Sequence, residues 1–405
     1  MPGLLAMTVL VFAGFGLLLP LSPLWAVQGG ADERGAGLVT ATLMVFTVLA
    51  QLRVNAVLAR WGWGRVLALG LVLLGVPAPV QAITPDLWLV LATSAVRGLG
   101  FGILTVCGAT AISLLVATEA RGRAIGAYGL VIAAPQLALT PAAPWLMATF
   151  GFPLVAAFGA LPLLAVAWMP RLGRRITASA PGGATPAARS ERRPGPPTPL
   201  RIWRPLLALL LATSAGGALL TFTAQLAPDT GTAVLALVAL TAAAALCRWR
   251  VGALSDRRGT RPFVGPLLVV GAGGLALVGH AGSPWVLVVG ALVTGVAYGG
   301  LQSVTLIQAF ADGDDQHRVS VAWNVGFDLG TGLGAAVVGV IAAQSSFRTA
   351  FLALACACLA GAPERGSVSR RSRWGYCSPS APRGPAERRR SARPWPEFPP
   401  RSARR

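Results

Sequence analysis

The chain of 405 residues is 54% hydrophobic and only 12% charged, with a mean hydropathy of +0.65. Soluble domains carry about 25% charged residues, so this sequence cannot wrap its apolar surface in a charged shell, and several apolar runs reach the roughly 20 residues that cross a bilayer. The net charge of +20 would suit nucleic acid, but all 34 basic residues are Arg, 12 of them after residue 360, and most others sit in a few loops without interleaved aromatics; such a distribution is a membrane-topology signal and argues against nucleic-acid binding.

The apolar runs predict twelve transmembrane helices, at 4–27, 37–57, 65–84, 87–117, 123–147, 152–170, 204–227, 231–248, 263–282, 285–309, 319–343 and a short twelfth at 349–361. The first has no basic residues before it and no small-residue cleavage pattern, so it reads as a span rather than a signal peptide. Arginines then mark alternate connections. At or after the ends of spans 2, 4, 6 and 8 stand Arg53, Arg60 and Arg65; Arg121 and Arg123; Arg171, Arg174 and Arg175; and Arg248, Arg250, Arg257, Arg258 and Arg261. The loops after spans 3, 5, 7 and 9 hold no Arg, and those after spans 1 and 11 hold one each, Arg34 and Arg348. The positive-inside rule places both termini in the cytoplasm of a multi-pass plasma-membrane protein.

Residues 171–203 are rich in Pro, Ala, Gly and Arg and lack an apolar stripe, which predicts a flexible cytoplasmic linker. It separates a six-helix unit at 1–170 from a second at 204–361, and an Arg/Pro-rich tail at 362–405 is expected to be disordered. The two units repeat weakly. Arg60 and Gly62 fall on Arg257 and Gly259 at an offset of 197 residues, between the second and third span of each unit, and at the same offset "VRG" (96–98) lies over "VTG" (293–295).

Five cysteines, Cys107, Cys247, Cys356, Cys358 and Cys377, lack the paired spacing of a zinc site, and there are only two histidines. No HExxH, carboxylate pair or nucleophile elbow occurs, so neither an embedded hydrolase nor any other enzyme is expected, and no metal or organic cofactor.

At "GALSDRRGTR" (252–261) the sequence resembles the major facilitator superfamily, whose signature loop G-x-x-x-D-R-x-G-R-R joins spans 2 and 3 and recurs less strictly between spans 8 and 9. Here the second copy matches at Gly252, Asp256, Arg257, Gly259 and Arg261. The first copy has Asn55 and Ala59 in place of the glycine and the aspartate, and keeps Arg60 and Gly62. "RGLGFG" (97–102) resembles the family's R-x-x-x-G pattern in span 4, and "TPAAP" (140–144) its antiporter motif, through Pro141. The resemblance implies an all-α membrane fold of twelve helices in two six-helix bundles, with the signature loop as a latch between them. In that reading Gly252 permits close helix approach, and Asp256 accepts hydrogen bonds from a neighbouring helix N-terminus, where negative charge gains about 0.3–1 kcal/mol. The alternative is that these loops are merely topogenic.

Asp328 is the only acidic residue in any predicted span, near mid-membrane, where a charged carboxylate costs about 2.5–3.5 kcal/mol on insertion scales. Asn324 lies one turn earlier on the same face. Arg97, near the middle of span 4, is the matching cation, and both are expected to line a central cavity with Gln136, Tyr298 and Gln302. Three roles are open to Asp328: a fixed bridge to Arg53 in span 2, which packs near span 11 in the resembled family; a neutral packing acid; or a titrating coupling site.

Together these readings predict a secondary transporter working by alternating access, with proton-coupled efflux of a small organic molecule favoured by the Pro141 segment and the apolar lining. Proton-coupled uptake of a sugar or other metabolite is the alternative. So is a non-transporting product, because the composition breaks abruptly near Pro363 and the tail resembles an out-of-frame reading. The expected partners are a small-molecule substrate, protons and the bilayer, and the expected state is a monomer.

Overall fold

The structure is a computed structural model that describes residues 1–116, 121–179, 202–313 and 316–362. Helix is the main regular structure in these stretches, as a bilayer demands: with no water in the hydrocarbon, each peptide group must bond within its own segment. Among the described residues ten helices are long and apolar enough to cross a membrane. Span 1 is Pro2–Gln28. Spans 2 and 3 share one helical rod, Glu33–Gly75, which bends at Gly62 (φ 73°, ψ 166°) and so counts once among the ten. Span 4 is Leu87–Leu115 and span 5 is Arg121–Phe150. Spans 7 to 11 are Trp203–Leu226, Thr230–Arg258, Arg261–Gly279, Pro284–Asp312 and Gln316–Gln344. Phe347–Ala360 is the short twelfth span, with 14 residues.

Span 8 runs ten residues beyond its predicted end at 248, through the Arg-rich stretch to Arg258. Hydropathy marks where the lipid ends, whereas Arg, Ala and Leu are all good helix formers and carry the helix past it. Span 6 departs from a single helix: Phe152–Phe158 is followed by a 3-10 segment, Leu161–Trp168, then by a helix Met169–Ser179. Pro162 at the start of the 3-10 segment has no N–H to donate to a preceding turn.

The helix Met169–Ser179 takes in the first residues of the stretch expected to be a flexible linker. Met169, Leu172, Gly173 and Ile176 make a narrow apolar stripe that is buried, while Arg171, Arg174 and Arg175 are exposed. Gly173 brings its backbone against Gly64, at the start of span 3, so this helix is docked on the corner between spans 2 and 3. Residues 180–201 and the tail from 363 lie outside the described residues.

We call the side of the corners at Gly62 and Gly259 the linker side and the opposite one the turn side. On the turn side, acidic residues cap helix starts: Asp32 accepts from the Gly35 N–H at 2.8 Å, Asp86 from Trp88 and Leu89, and Asp229 from Thr232 at 2.9 Å. The Thr232 hydroxyl and N–H together hold the Asp229 carboxyl below the usual carboxylate range, so it keeps the charge that suits a helix N-terminus. Exposed tryptophans mark both interfaces, Trp88 and Trp285 on the turn side and Trp61 and Trp203 on the linker side.

The two halves superimpose in their details. Gly259 (φ 73°, ψ 172°) repeats the backbone of Gly62 at the equivalent corner. In span 4, Gly98 and Gly102 lie against the carbonyls of Leu43 and Thr47 in span 2; 197 residues on, Gly295 and Gly299 lie against those of Leu240 and Ala244. Trp88 and Trp285 obey the same offset. Spans 2 and 4 therefore cross as spans 8 and 10 do, backbone to backbone. The result is two six-helix bundles with one plan.

A prediction follows from the corners. An added Cβ meets nothing within 4 Å at Gly62 or Gly259, so the cost of Gly62→Ala or Gly259→Ala is backbone strain alone, about 1–3 kcal/mol each. Thermal unfolding of the detergent-purified chain is expected to show a lowered but cooperative transition for both. Gly98→Leu or Gly295→Leu, which would drive the crossing helices apart, is expected to yield no folded protein.

Candidate functional site

The bundles meet most closely on the turn side, where spans 2 and 11 touch through backbone. Gly37 abuts the Ala335 carbonyl, Gly339 faces Glu33 and Gly37, and Gly332 leaves a gap that a Cβ would close to 2.9 Å from the Met44 Cβ. Span 2 also meets span 7, with the hydroxyls of Thr40 and Thr221 2.9 Å apart.

Deeper in, the Gln51 Nε2 donates to the Asp328 Oδ2 at 2.6 Å. Asp328 is 6% exposed and Gln51 2%. Asp328 lies ten residues after Arg318, about 15 Å along its helix, so the bond joins the two bundles near mid-membrane. The bridge to Arg53 is not formed: Arg53 is exposed. Residues two apart on a helix point some 200° apart, so a span that turns Gln51 to span 11 turns Arg53 away.

On the C-terminal side of this contact the Arg248 NH1 donates to the Gln302 Oε1 at 3.1 Å, and the Ser303 hydroxyl to the Arg248 carbonyl at 2.7 Å. Tyr298, half-buried, stands within Coulombic reach of both Arg248 and Asp328. Its ring packs over Gly216 of span 7 and 6.3 Å from that of Phe327, which lies 5.7 Å from the Trp323 ring. The repeat governs this arrangement too. Gln51 reaches the Thr105 hydroxyl at 3.5 Å, and the residues 197 further on are Arg248 and Gln302.

Arg97 is not part of this cluster. It is 1% exposed and sits within the N-terminal bundle, donating from NH1 to the Ser22 Oγ at 3.1 Å. Ser22 donates on to the Gln81 Oε1 at 2.9 Å, and the Gln81 amide reaches the Thr93 and Ser94 hydroxyls at 3.1 and 3.4 Å. The Arg97 Nε and NH2 have no partner among the described residues. Arg97 and Asp328, expected to line one cavity, belong instead to two separate networks, because span 4 presents Arg97 to span 1 rather than to span 11.

Of the other candidates, Gln302 and Tyr298 join Asp328 and Arg248. Gln136 and Asn324 are half-buried and bond carbonyls of their own helices, Ile132 at 3.3 Å and Ser320 at 2.8 Å. Pro141 lies within span 5 together with Pro135 and Pro144, each removing a helical N–H. Arg60, Asp256, Arg257 and Arg261 are exposed, and Asp256 has no hydrogen-bond partner among the described residues. Gly252 does not bring helices into tight contact: a Cβ there would meet only Ser303, at 3.8 Å. Sequence reasoning missed Gln51, Arg248, Ser22 and Gln81. The 197-residue register was the available signal for two of them, since "LAQLRVNAVLARWG" (49–62) overlies "LCRWRVGALSDRRG" (246–259).

The family model for the Major Facilitator Superfamily matches residues 4–313 and again 251–398. The chain belongs to the major facilitator superfamily. No curated protein matches it. Among solved structures, a bacterial homolog of the human lysosomal transporter Spinster aligns at 15% identity with a TM-score of 0.64, covering 89% of this chain and 94% of that one. The nucleoside transporter NupG aligns at 14% and 0.63, covering 89% and 96%, and the human organic anion transporter MFSD10 at 16% and 0.62, covering 89% and 97%. At such identities the likeness speaks to the fold. This superfamily member is thus a multi-pass membrane transporter rather than an enzyme, and the Gln51–Asp328 bond lies where its two bundles meet.

Leaving a buried carboxylate without its donor costs about 1–3 kcal/mol. Gln51→Leu is therefore expected to lower the melting temperature of the purified transporter, and Gln51→Leu with Asp328→Leu to recover most of the loss. A double-mutant cycle in detergent measures the coupling, and additive effects would remove the bond from the account.

Proposed function

We propose that this chain is a secondary active transporter moving a small organic molecule across the plasma membrane by alternating access, coupled to protons through Asp328, with the linker side and both termini cytoplasmic. The observation that carries the reading is the carboxylate bonded across the bundle interface. A hydrogen bond to an ionised group contributes about 1.5–3 kcal/mol, and one between neutral groups about 0.5–1.5. A proton on Asp328 therefore weakens the mid-membrane tie between spans 2 and 11 and removes a charge whose burial is costly. Both effects change the balance between conformations that part the bundles on one side or the other, and that balance is what a coupling ion must bias. In the conformation described here the turn side is shut at spans 2 and 11. The signature loop around Asp256 stands free on the linker side, as a latch would when that side is not clamped. Efflux is the favoured direction, on the proline-rich span 5 and the mostly apolar surroundings of the polar cluster, and the transporter works as a monomer.

Asp328→Asn tests the coupling. In everted vesicles with an imposed pH gradient, accumulation of a panel of organic compounds is expected to fall to the gradient-free level while downhill exchange persists. Uphill transport with a normal pH dependence in the variant would make Asp328 a packing residue. The orientation is checked separately: in a cysteine-free background, Ala281→Cys in the loop before span 10 is expected to react with an impermeant maleimide added to intact cells, and Arg258→Cys to react only after lysis.

A further inference from the structure

A cation is placed where a transmembrane helix would normally carry none. Arg248 lies ten residues before Arg258, about 15 Å along span 8 from its linker-side end, at the level that the repeat gives to Gln51. A guanidinium at that depth does not lose its charge, so it faces water, a carboxylate or an anion. Its place on the helix turns it toward span 10. Ala244, Arg248, Val251 and Ser255 share one face at helical spacing, and Ala244, Val251 and Ser255 are buried. That face packs on span 10, with Ala244 against Gly299 and Val251 near Gly300. Arg248 is the exposed member of this packed stripe, so its open surface belongs to the space between helices. Its neighbours Trp249, 66% exposed, and Arg250, whose guanidinium lies 5.2 Å over the Trp249 ring, point away from span 10.

Arg248 gives one N–H to the neutral amide of Gln302, and Nε and NH2 have no partner among the described residues. It makes no ion pair among the described residues, and Asp328 is bonded instead to Gln51. A fork of unpaired guanidinium donors matches the geometry of a carboxylate or sulfonate, which it can bind bidentately. One turn before Gln302 on span 10 stands the half-buried ring of Tyr298, 6.3 Å from that of Phe327, which in turn lies 5.7 Å from the Trp323 ring. Aromatic surface beside a cation suits a ligand with an apolar body and an anionic head.

We propose that Arg248, with Gln302 and Tyr298, forms the subsite for the anionic group of the transported molecule, and that the substrates are organic anions with an apolar or aromatic body. This rests on the transporter reading above and names its substrate class. The test is a binding measurement on the full chain purified in detergent, by thermal shift and by quenching of intrinsic tryptophan fluorescence. The probes are naphthalene-2-carboxylate, naphthalene-2-sulfonate and the neutral naphthalene-2-carboxamide. Both anions are expected to stabilise the wild type in a saturable way and the carboxamide not. Arg248→Gln is expected to weaken anion binding by about tenfold or more, Arg248→Lys to weaken it less, and Arg250→Gln to leave it unchanged. If Arg248→Gln does not fold, Arg248→Lys against Arg250→Gln carries the comparison. Equal binding of the carboxamide, no saturable binding of either anion, or equal losses from Arg248→Gln and Arg250→Gln would overturn the proposal. The assay needs neither a gradient nor transport. Absent anion binding beside intact proton-driven transport therefore overturns the substrate class alone, and anion binding beside an Asp328→Asn variant that still transports uphill overturns the coupling alone.

Discussion

Bilayer hydrocarbon offers no hydrogen bonds, and most features of this molecule answer that single constraint. The chain is helical because helices bond their own peptides. It is poor in charge because each charge in the span region must find a partner in protein or water. Even its hydroxyls comply: Thr8, Thr47, Thr213, Thr221, Thr223, Thr294 and Thr305 each turn back to a carbonyl of the preceding turn. Polar groups that instead reach across to another helix are few, and they are informative for that reason. They form two sets. One, from Arg97 through Ser22 to Gln81, lies wholly within the N-terminal bundle and ties span 1 to spans 3 and 4 as a rigid unit. The other, around Gln51, Asp328, Gln302 and Arg248, includes a bond that crosses between bundles, as the Thr40–Thr221 hydroxyl pair also does.

That division assigns different work to two residues that look alike in sequence, a lone acid and a lone base at mid-membrane. Asp328 ties one bundle to the other through a single short bond. Arg97 is enclosed by its own bundle. The duplicated plan sharpens the contrast, because the position that supplies a neutral amide in the first half, Gln51, supplies a guanidinium in the second.

Much of the fold was legible in the sequence because length, hydropathy and arginine placement are statements about the bilayer, which acts on every residue of a span alike. The equivalence of Gly62 and Gly259 was legible as well, since a backbone with φ near 73° admits little else. Rotation of each helix about its axis was not. A span hydrophobic all round has almost no moment, so nothing in the residues around Gln51 and Arg53 says which of them faces span 11, and Arg97 points inward for the same unreadable reason. The helix Met169–Ser179 was hidden differently: four small or apolar residues among arginines and a proline look like linker until Gly64 is there to receive Gly173. Arg248 was overlooked because arginines near span ends ordinarily report topology.

The contact between spans 2 and 11 has a kinetic side. Gly37, Gly332 and Gly339 let the backbones of spans 2 and 11 approach along the turn-side seam, with Met44 of span 2 seated against Gly332. Separating interdigitated helices requires many rotamers to disengage together, which makes the transition steep and all-or-none. A glycine contact holds no rotamers to disengage, so in the alternating-access reading proposed above these positions resist parting less than the polar links of the same interface, Thr40–Thr221 and Gln51–Asp328.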